Sequence, residues 1–184
     1  MSDLPCLIHG VDHAGASLFT VIMMVDLYRQ SNKILFVSGY HMARDEFISQ
    51  TDVSDEIIHL QKEEQFTEAI QKKVVFIQKE NISLLQSFVK ILPDFNERVV
   101  LLKNFDLFDE SVFRSLMSSQ HIVLSGDLDR CSYAEEIIQL LFKTKIFFSV
   151  PKTNLEIQIP SLSKYQGFMQ TENRNGHLSI GVSK

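Results

Sequence analysis

The chain has 184 residues, 45% of them hydrophobic and 22% charged, with only 7 glycines and 4 prolines. That balance excludes a collagenous, disulfide-framed or disordered chain and fits a globular domain with a substantial core. Lys and Arg number 18 against 23 Asp and Glu, and the net charge of −5 gives no support to charge-driven binding of nucleic acid or membrane.

Apolar runs alternate with helical stretches along the chain. Leu4–Ile8 is the first predicted strand and Ala16–Gln30 the first helix. Ile34–Val37 is a strand that ends at Ser38-Gly39, followed by a helix over Met42–Ser49. Glu56–Leu60 and Val74–Ile77 are strands on either side of a helix at Glu64–Lys72. A helix over Ile82–Leu92 is stopped by Pro93, then Val99–Leu102 is a strand, Glu110–Ser118 a helix and Ile122–Leu124 a strand. Ser132–Phe142 reads as a helix with Ser132 as N-cap and Glu135 at the capping-box position. Ile146–Val150 is the next strand. Leu155–Ile159 and His177–Val182 then alternate with period two around a polar tip at Gln170–Asn175, a hairpin signature.

Runs such as ILFV, VVFI and VVLL do not alternate, as befits strands buried on both faces. Strands alternating with helices imply right-handed crossovers and a largely parallel sheet. The expected fold is therefore α/β and three-layered, with a mainly parallel sheet flanked by helices and a C-terminal antiparallel β-hairpin. A single domain over 1–184 is expected, with an α/β core at 1–151 and a hairpin extension at 152–184.

Cys6 and Cys131 are unclustered and imply neither a disulfide framework nor a zinc site. The N-terminus lacks a basic region ahead of a long apolar run, and no run approaches the ~20 residues that span a bilayer, so a soluble cytoplasmic protein is expected. The six histidines show no HxxxH or HExxH spacing, and there is no G-x-S-x-G elbow.

The turn after the first strand reads Gly10-Val11-Asp12-His13-Ala14-Gly15-Ala16-Ser17-Leu18. Gly10, Gly15 and Ser17 match the phosphate-loop pattern G-x-x-x-x-G-K-[ST], whose glycines let backbone wrap around phosphates at a helix N-terminus. The lysine position holds Ala16, which removes the point charge on the outer phosphates. His13 and Lys33 are cations near in sequence, but nothing in the sequence places either in the loop. The plain alternative is a tight strand-to-helix turn with two glycines.

Lys33-Ile34-Leu35-Phe36-Val37-Ser38-Gly39-Tyr40-His41 resembles the second strand of RecA/KaiC/RadA-like P-loop ATPases, where an acidic strand end activates the attacking water. Here Tyr40 and His41 stand in those positions. Arg98-Val99-Val100-Leu101-Leu102-Lys103 resembles the Walker B strand of the same family, whose terminal Asp holds magnesium. Lys103 takes that place, and Asp106 follows too late to project from the same point. Lys103 is expected to reach solvent, with the alternative that it lies near an anion and partly replaces the missing lysine. Ser125, ending the strand at Ile122–Leu124, matches the family's sensor position.

The resemblance implies a RecA-like sheet and, for an intact member, ATP with magnesium at the loop. With Ala16, Lys103 and Tyr40 in place of three charges, it implies a degenerate member that binds no cofactor and acts as a structural or regulatory subunit. The implied partners are copies of the chain or a paralogous ATPase subunit, with no membrane and, from the charge, no nucleic acid. The alternatives are a nucleotide-binding protein or weak ATPase that borrows charges from a partner, and a nucleic-acid-associated accessory protein.

Overall fold

A strand without alternation is stable only where both of its faces are covered. The structure, a computed structural model, describes residues 4–11, 15–30, 32–40, 42–51, 54–140, 142–152, 159–162, 166–171 and 174–179. It sets the apolar runs side by side in one nine-stranded sheet. The strands are β1 (Cys6–His9), β2 (Ile34–Ser38), β3 (Ile57–His59), β4 (Val74–Gln78), β5 (Val99–Lys103), β6 (Ile122–Gly126), β7 (Thr144–Phe147), β8 (Gln166–Thr171) and β9 (Asn175–Ser179). The helices are α1 (Ala16–Arg29), α2 (Met42–Thr51), α3 (Phe66–Gln71), α4 (Ser83–Ile91), α5 (Glu110–Leu116) and α6 (Ala134–Ile138).

Across the sheet the order is β3-β4-β2-β5-β6-β1-β7-β8-β9. Strands β1 to β7 pair in parallel, while β8 and β9 continue past β7 as an antiparallel hairpin. The alternation of β5 shows how the two cores divide. Val99 and Leu101 join Phe36, Phe76, Met24 of α1 and Phe47 of α2 in one cluster. Val100 and Leu102 join Phe88 of α4, Phe113 of α5 and Ile137 of α6 in the other. Phe36 and Phe76 stack at 4.6 Å, and Phe47 meets Phe76 edge-on at 5.8 Å. Such pairs add about 0.5–1.5 kcal/mol beyond area burial.

The N-terminal edge of the sheet is tied by a buried cation. Arg98, just before β5, is wholly buried. Its Nε donates to Asp94 Oδ1 at 2.8 Å, and its other nitrogens donate to the carbonyls of Lys72 and Ile70, both at 3.2 Å. Lys33 Nζ, just before β2, donates to Asp94 Oδ2 at 2.6 Å. Burial alone would raise the Asp94 carboxyl, but the hydrogen bonds from Arg98 and Lys33 outweigh it and hold the pKa below its ordinary value. Lys33 is thereby committed at the sheet edge opposite the Gly10–Ser17 turn.

Three expectations are corrected. The last helix is short: α6 starts at Ala134 with Tyr133 as its N-cap and no side-chain cap bond, so Ser132 does not cap it. The strand expected at Ile146–Val150 runs from Thr144 to Phe147, because pairing with β1 starts at Cys6↔Thr144, and Val150 is exposed. The hairpin pairs Gln166–Thr171 with Asn175–Ser179. The first of these strands carries Gly167 and three polar residues and gives little period-two signal. Of the run Leu155–Ile159, residues 155–158 lie outside the described residues. The tip expected at Gln170–Asn175 is in the right place, closed by Thr171 N–H donating to Arg174 O at 2.8 Å.

Candidate functional site

The β1–α1 junction lies at the C-terminal edge of the sheet, where open α/β folds place their ligands. Gly10 N–H donates to Gly126 O at 3.2 Å, docking the start of the turn on β6. A Cβ at Gly10 would lie 2.6 Å from the Cβ of Ala16, so the two ends of the turn close on each other only with glycine there. Gly15 has φ 103°, a left-handed conformation that disfavours any side chain. Ala16 is buried, whereas Ser17 and Leu18 are exposed. Helix α1 starts after Gly15 with no side-chain cap among the described residues and no acidic residue in its first turn, so its positive dipole end faces this edge. Asp12 and His13 lie outside the described residues, as does His41.

Next to this junction the strand ends form a row. Ser38 of β2, Lys103 of β5 and Ser125 of β6 are neighbours in register. Lys103 follows Val99 and Leu101 by alternation and so faces the α1 and α2 side. Ser125 Oγ on that side lies 2.7 Å from Thr20 Oγ1 of α1, which also bonds the Ala16 carbonyl at 2.7 Å. Ser38 Oγ donates to Tyr40 O at 3.0 Å and accepts from Tyr40 N–H at 3.2 Å, closing the turn after β2. Tyr40 itself points out, 49% exposed.

The Lys103 stem is buried, and only a small part of the side chain reaches the surface. The residue is 4% exposed, and its ammonium makes no hydrogen bond or ion pair among the described residues. Burial pulls the ammonium below the ordinary lysine pKa, against the through-space attraction of Glu46 on α2. Asp106 does not stand in for the missing acid. It lies in the single turn Phe105–Leu107 that follows left-handed Asn104, and its Oδ1 accepts from Asp127 N–H at 3.0 Å. A Cβ at Gly126 would lie 2.7 Å from that oxygen, so the carboxylate is packed against the end of β6.

A hydrolysing site needs a carboxylate for the metal and a cation on the outer phosphates. Among the described residues, the strand end expected to carry that carboxylate carries the Lys103 ammonium, and the position expected to carry the cation carries Ala16. What the described part of the edge retains is positive: the N-terminal end of α1 and the Lys103 ammonium.

One residue at this edge carries no signal in the sequence beyond ending an apolar run. His9 is wholly buried at the end of β1. Its Nδ1 accepts from Leu128 N–H at 3.1 Å, which places the proton of the neutral ring on Nε2, 3.1 Å from Ser149 Oγ. Burial lowers its pKa, although Asp127 and Asp129 pull the other way. Ligand atoms of His9, Asp127 and Asp129 lie within 4.8 Å of one another. They are already engaged: Asp127 Oδ1 accepts from Asp129 N–H at 2.9 Å and Asp129 Oδ1 from Lys152 N–H at 2.7 Å. The cluster ties three loops together.

No family model and no curated protein matches the sequence. Solved structures do. The genome packaging NTPase B204 from Sulfolobus turreted icosahedral virus 2, in complex with AMPPCP, superposes with a TM-score of 0.64 at 10% identity, covering 100% of both chains. The fold is that of the P-loop NTPases. The EssC ATPases 2 and 3 from Geobacillus thermodenitrificans match with a TM-score of 0.54 at 13% identity, over 95% of this chain and 36% of that one. The flagellar accessory protein FlaH from Methanocaldococcus jannaschii matches with a TM-score of 0.51 at 12% identity, over 92% of this chain and 78% of that one. The expected α/β architecture with its parallel core and C-terminal hairpin is thus the observed one. No described helix is long and apolar enough to cross a membrane.

Proposed function

We propose that the chain is a catalytically inactive protein of the P-loop NTPase fold that serves as a structural or regulatory subunit of an assembly, its 184 residues acting as a single RecA-like domain. The observation that carries this reading is Lys103, a buried cation at the strand end where a hydrolysing enzyme holds its metal. Ala16 at the loop lysine position adds to it. Phosphoryl transfer depends almost wholly on positioning and electrostatics, so a reversed charge at one position and a missing one at another leave little to stabilise the transition state. The names of two similar structures, a genome packaging NTPase and a flagellar accessory protein, support a place in a larger assembly. The partners proposed are further copies of this chain or a paralogous ATPase subunit.

A second reading is favoured by the turn itself. Gly15 is left-handed and Gly10 closes on Ala16, which supports a loop able to cradle phosphate, and a partner is then needed to supply charge. The test is phosphate release from ATP with magnesium, by the chain alone and mixed with a candidate partner ATPase. The inactive reading expects no release above background from the chain alone. Turnover that disappears in Gly15→Val overturns it.

A further inference from the structure

We propose that His9 is an acid-operated latch: as a neutral ring it holds the turn at residues 127–130 closed, and on protonation it exchanges its backbone partner for a carboxylate and lets that turn move. The latch sits at the C-terminal edge of the sheet, where β1, β6 and β7 end side by side.

A neutral imidazole has one acceptor nitrogen, and here it is committed. His9 is wholly buried, and its Nδ1 accepts from Leu128 N–H at 3.1 Å. Leu128 is itself 1% exposed, so bulk water does not replace that acceptor when it is lost. Nε2 carries the proton and faces Ser149 Oγ, which also accepts from Val11 N–H at 3.3 Å. Neither ring nitrogen has a lone pair to spare, so the nearness of Asp127 and Asp129 does not make a metal site.

Protonation adds a hydrogen at Nδ1 and sets two donors against each other, the ring N–H and Leu128 N–H. The charged ring has other partners close by. Asp127 and Asp129 each bring a carboxylate oxygen within 4.8 Å of a ring nitrogen, and Asp106 on the turn after β5 adds a third negative charge. From β7 the ring meets Phe147, with centroids 6.2 Å apart, and Ser149, neither of which titrates near neutral pH. Burial lowers the pKa of His9 against the pull of Asp127, Asp129, the Gly126 carbonyl and Asp106, so the ring is neutral at pH 7 and charges on acidification. Two arrangements of one side chain compete, and the proton decides between them. The turn it frees is a junction: Asp127 N–H donates to Asp106 Oδ1, and Asp129 Oδ1 accepts from Lys152 N–H. Acidification therefore loosens the segments after β5, β6 and β7 while the sheet beneath them stays paired.

Native-state hydrogen exchange of the full chain at about pH 7.5 and about pH 5, corrected for the intrinsic rate, tests this beside an NMR titration of the His9 ring nitrogens. The expected result is a His9 midpoint below 6.5 and, across it, exchange about tenfold or more faster at residues 127–130, with β4 changing far less. His9→Asn places an oxygen that does not titrate near the Nδ1 position and is expected to abolish the response. Asp127→Asn combined with Asp129→Asn removes the carboxylates that hold the charged ring, keeps Oδ1 for the backbone donors, and is expected to lower the midpoint. The proposal is overturned if the ring titrates with no change at 127–130, or stays neutral until the chain unfolds. It is also overturned by equal acceleration in β4, by a response that persists in His9→Asn, or by an unmoved midpoint in the double variant.

Discussion

Replacing Lys103 by methionine is expected to stabilise the protein, opposite in sign to most substitutions at buried positions. The side chain is 4% exposed and has no hydrogen-bond partner among the described residues to offset its desolvation. The effective penalty for a buried ion is several kcal/mol, and Glu46 recovers only part of it. Methionine keeps the length of the stem and packs beside Val99 and Leu101 without a charge. A gain of about 1–3 kcal/mol follows. For a chain of this size each kcal/mol moves Tm by about 2–4 °C, so the midpoint should rise by about 2–12 °C. Calorimetric melts at neutral pH without phosphate read this directly. The pH dependence supplies a second check. The folded pKa of Lys103 lies below 10.5, so the folded chain binds this proton less tightly than the unfolded chain does. Wild-type stability therefore rises as pH climbs toward 10.5, and the advantage of the methionine variant shrinks over the same range. A lower Tm for Lys103→Met at neutral pH would mean that the ammonium has an internal partner, and the buried-charge argument would fail.

The opposite sign is expected at Arg98. Arg98→Met leaves the Asp94 carboxylate and the Ile70 and Lys72 carbonyls without their donor and should cost about 3–5 kcal/mol in urea unfolding; a loss below about 1 kcal/mol would contradict the clamp. His9 is held neutral in the fold, with its pKa below 6.5, so its contribution is complete above that value and is lost as pH falls toward the folded pKa. The urea midpoint should drop on acidification below 6.5, and His9→Gln should flatten that part of the profile; an unchanged slope would remove His9 as its cause. Gly15→Ala places a side chain at φ 103° and should lower stability by about 1–2 kcal/mol in thermal melts, and a neutral result would refute the left-handed turn.

The strands were legible because their composition leaves one solution. Ile34–Val37, Val74–Ile77 and Val99–Leu102 have no polar face, so each needs cover on both sides, and helices between them supply it. Parallel pairing follows from that alternation, and the glycines of the first turn were readable because their spacing matches a backbone requirement that Gly10 and Gly15 meet. The strand at Gln166–Thr171 was not legible, since its place is fixed by pairing to β7 and by Phe168 packing rather than by its own pattern. The short α6 was overestimated because capping residues at Ser132 and Glu135 are local signals that the chain did not use.

The sequence by itself determined the α/β layering and which charges stand at the strand ends: alanine where a phosphate loop has lysine, and lysine where a metal-holding acid is expected. The state of those charges was decided only in three dimensions. A lysine at a strand end ordinarily carries its ammonium to water along a flexible stem. At position 103 the neighbouring strand ends at Ser38 and Ser125 flank the side chain, and the residue is left 4% exposed. Those neighbours come from segments more than twenty residues away in either direction, and burial by such distant partners has no signature in the local sequence.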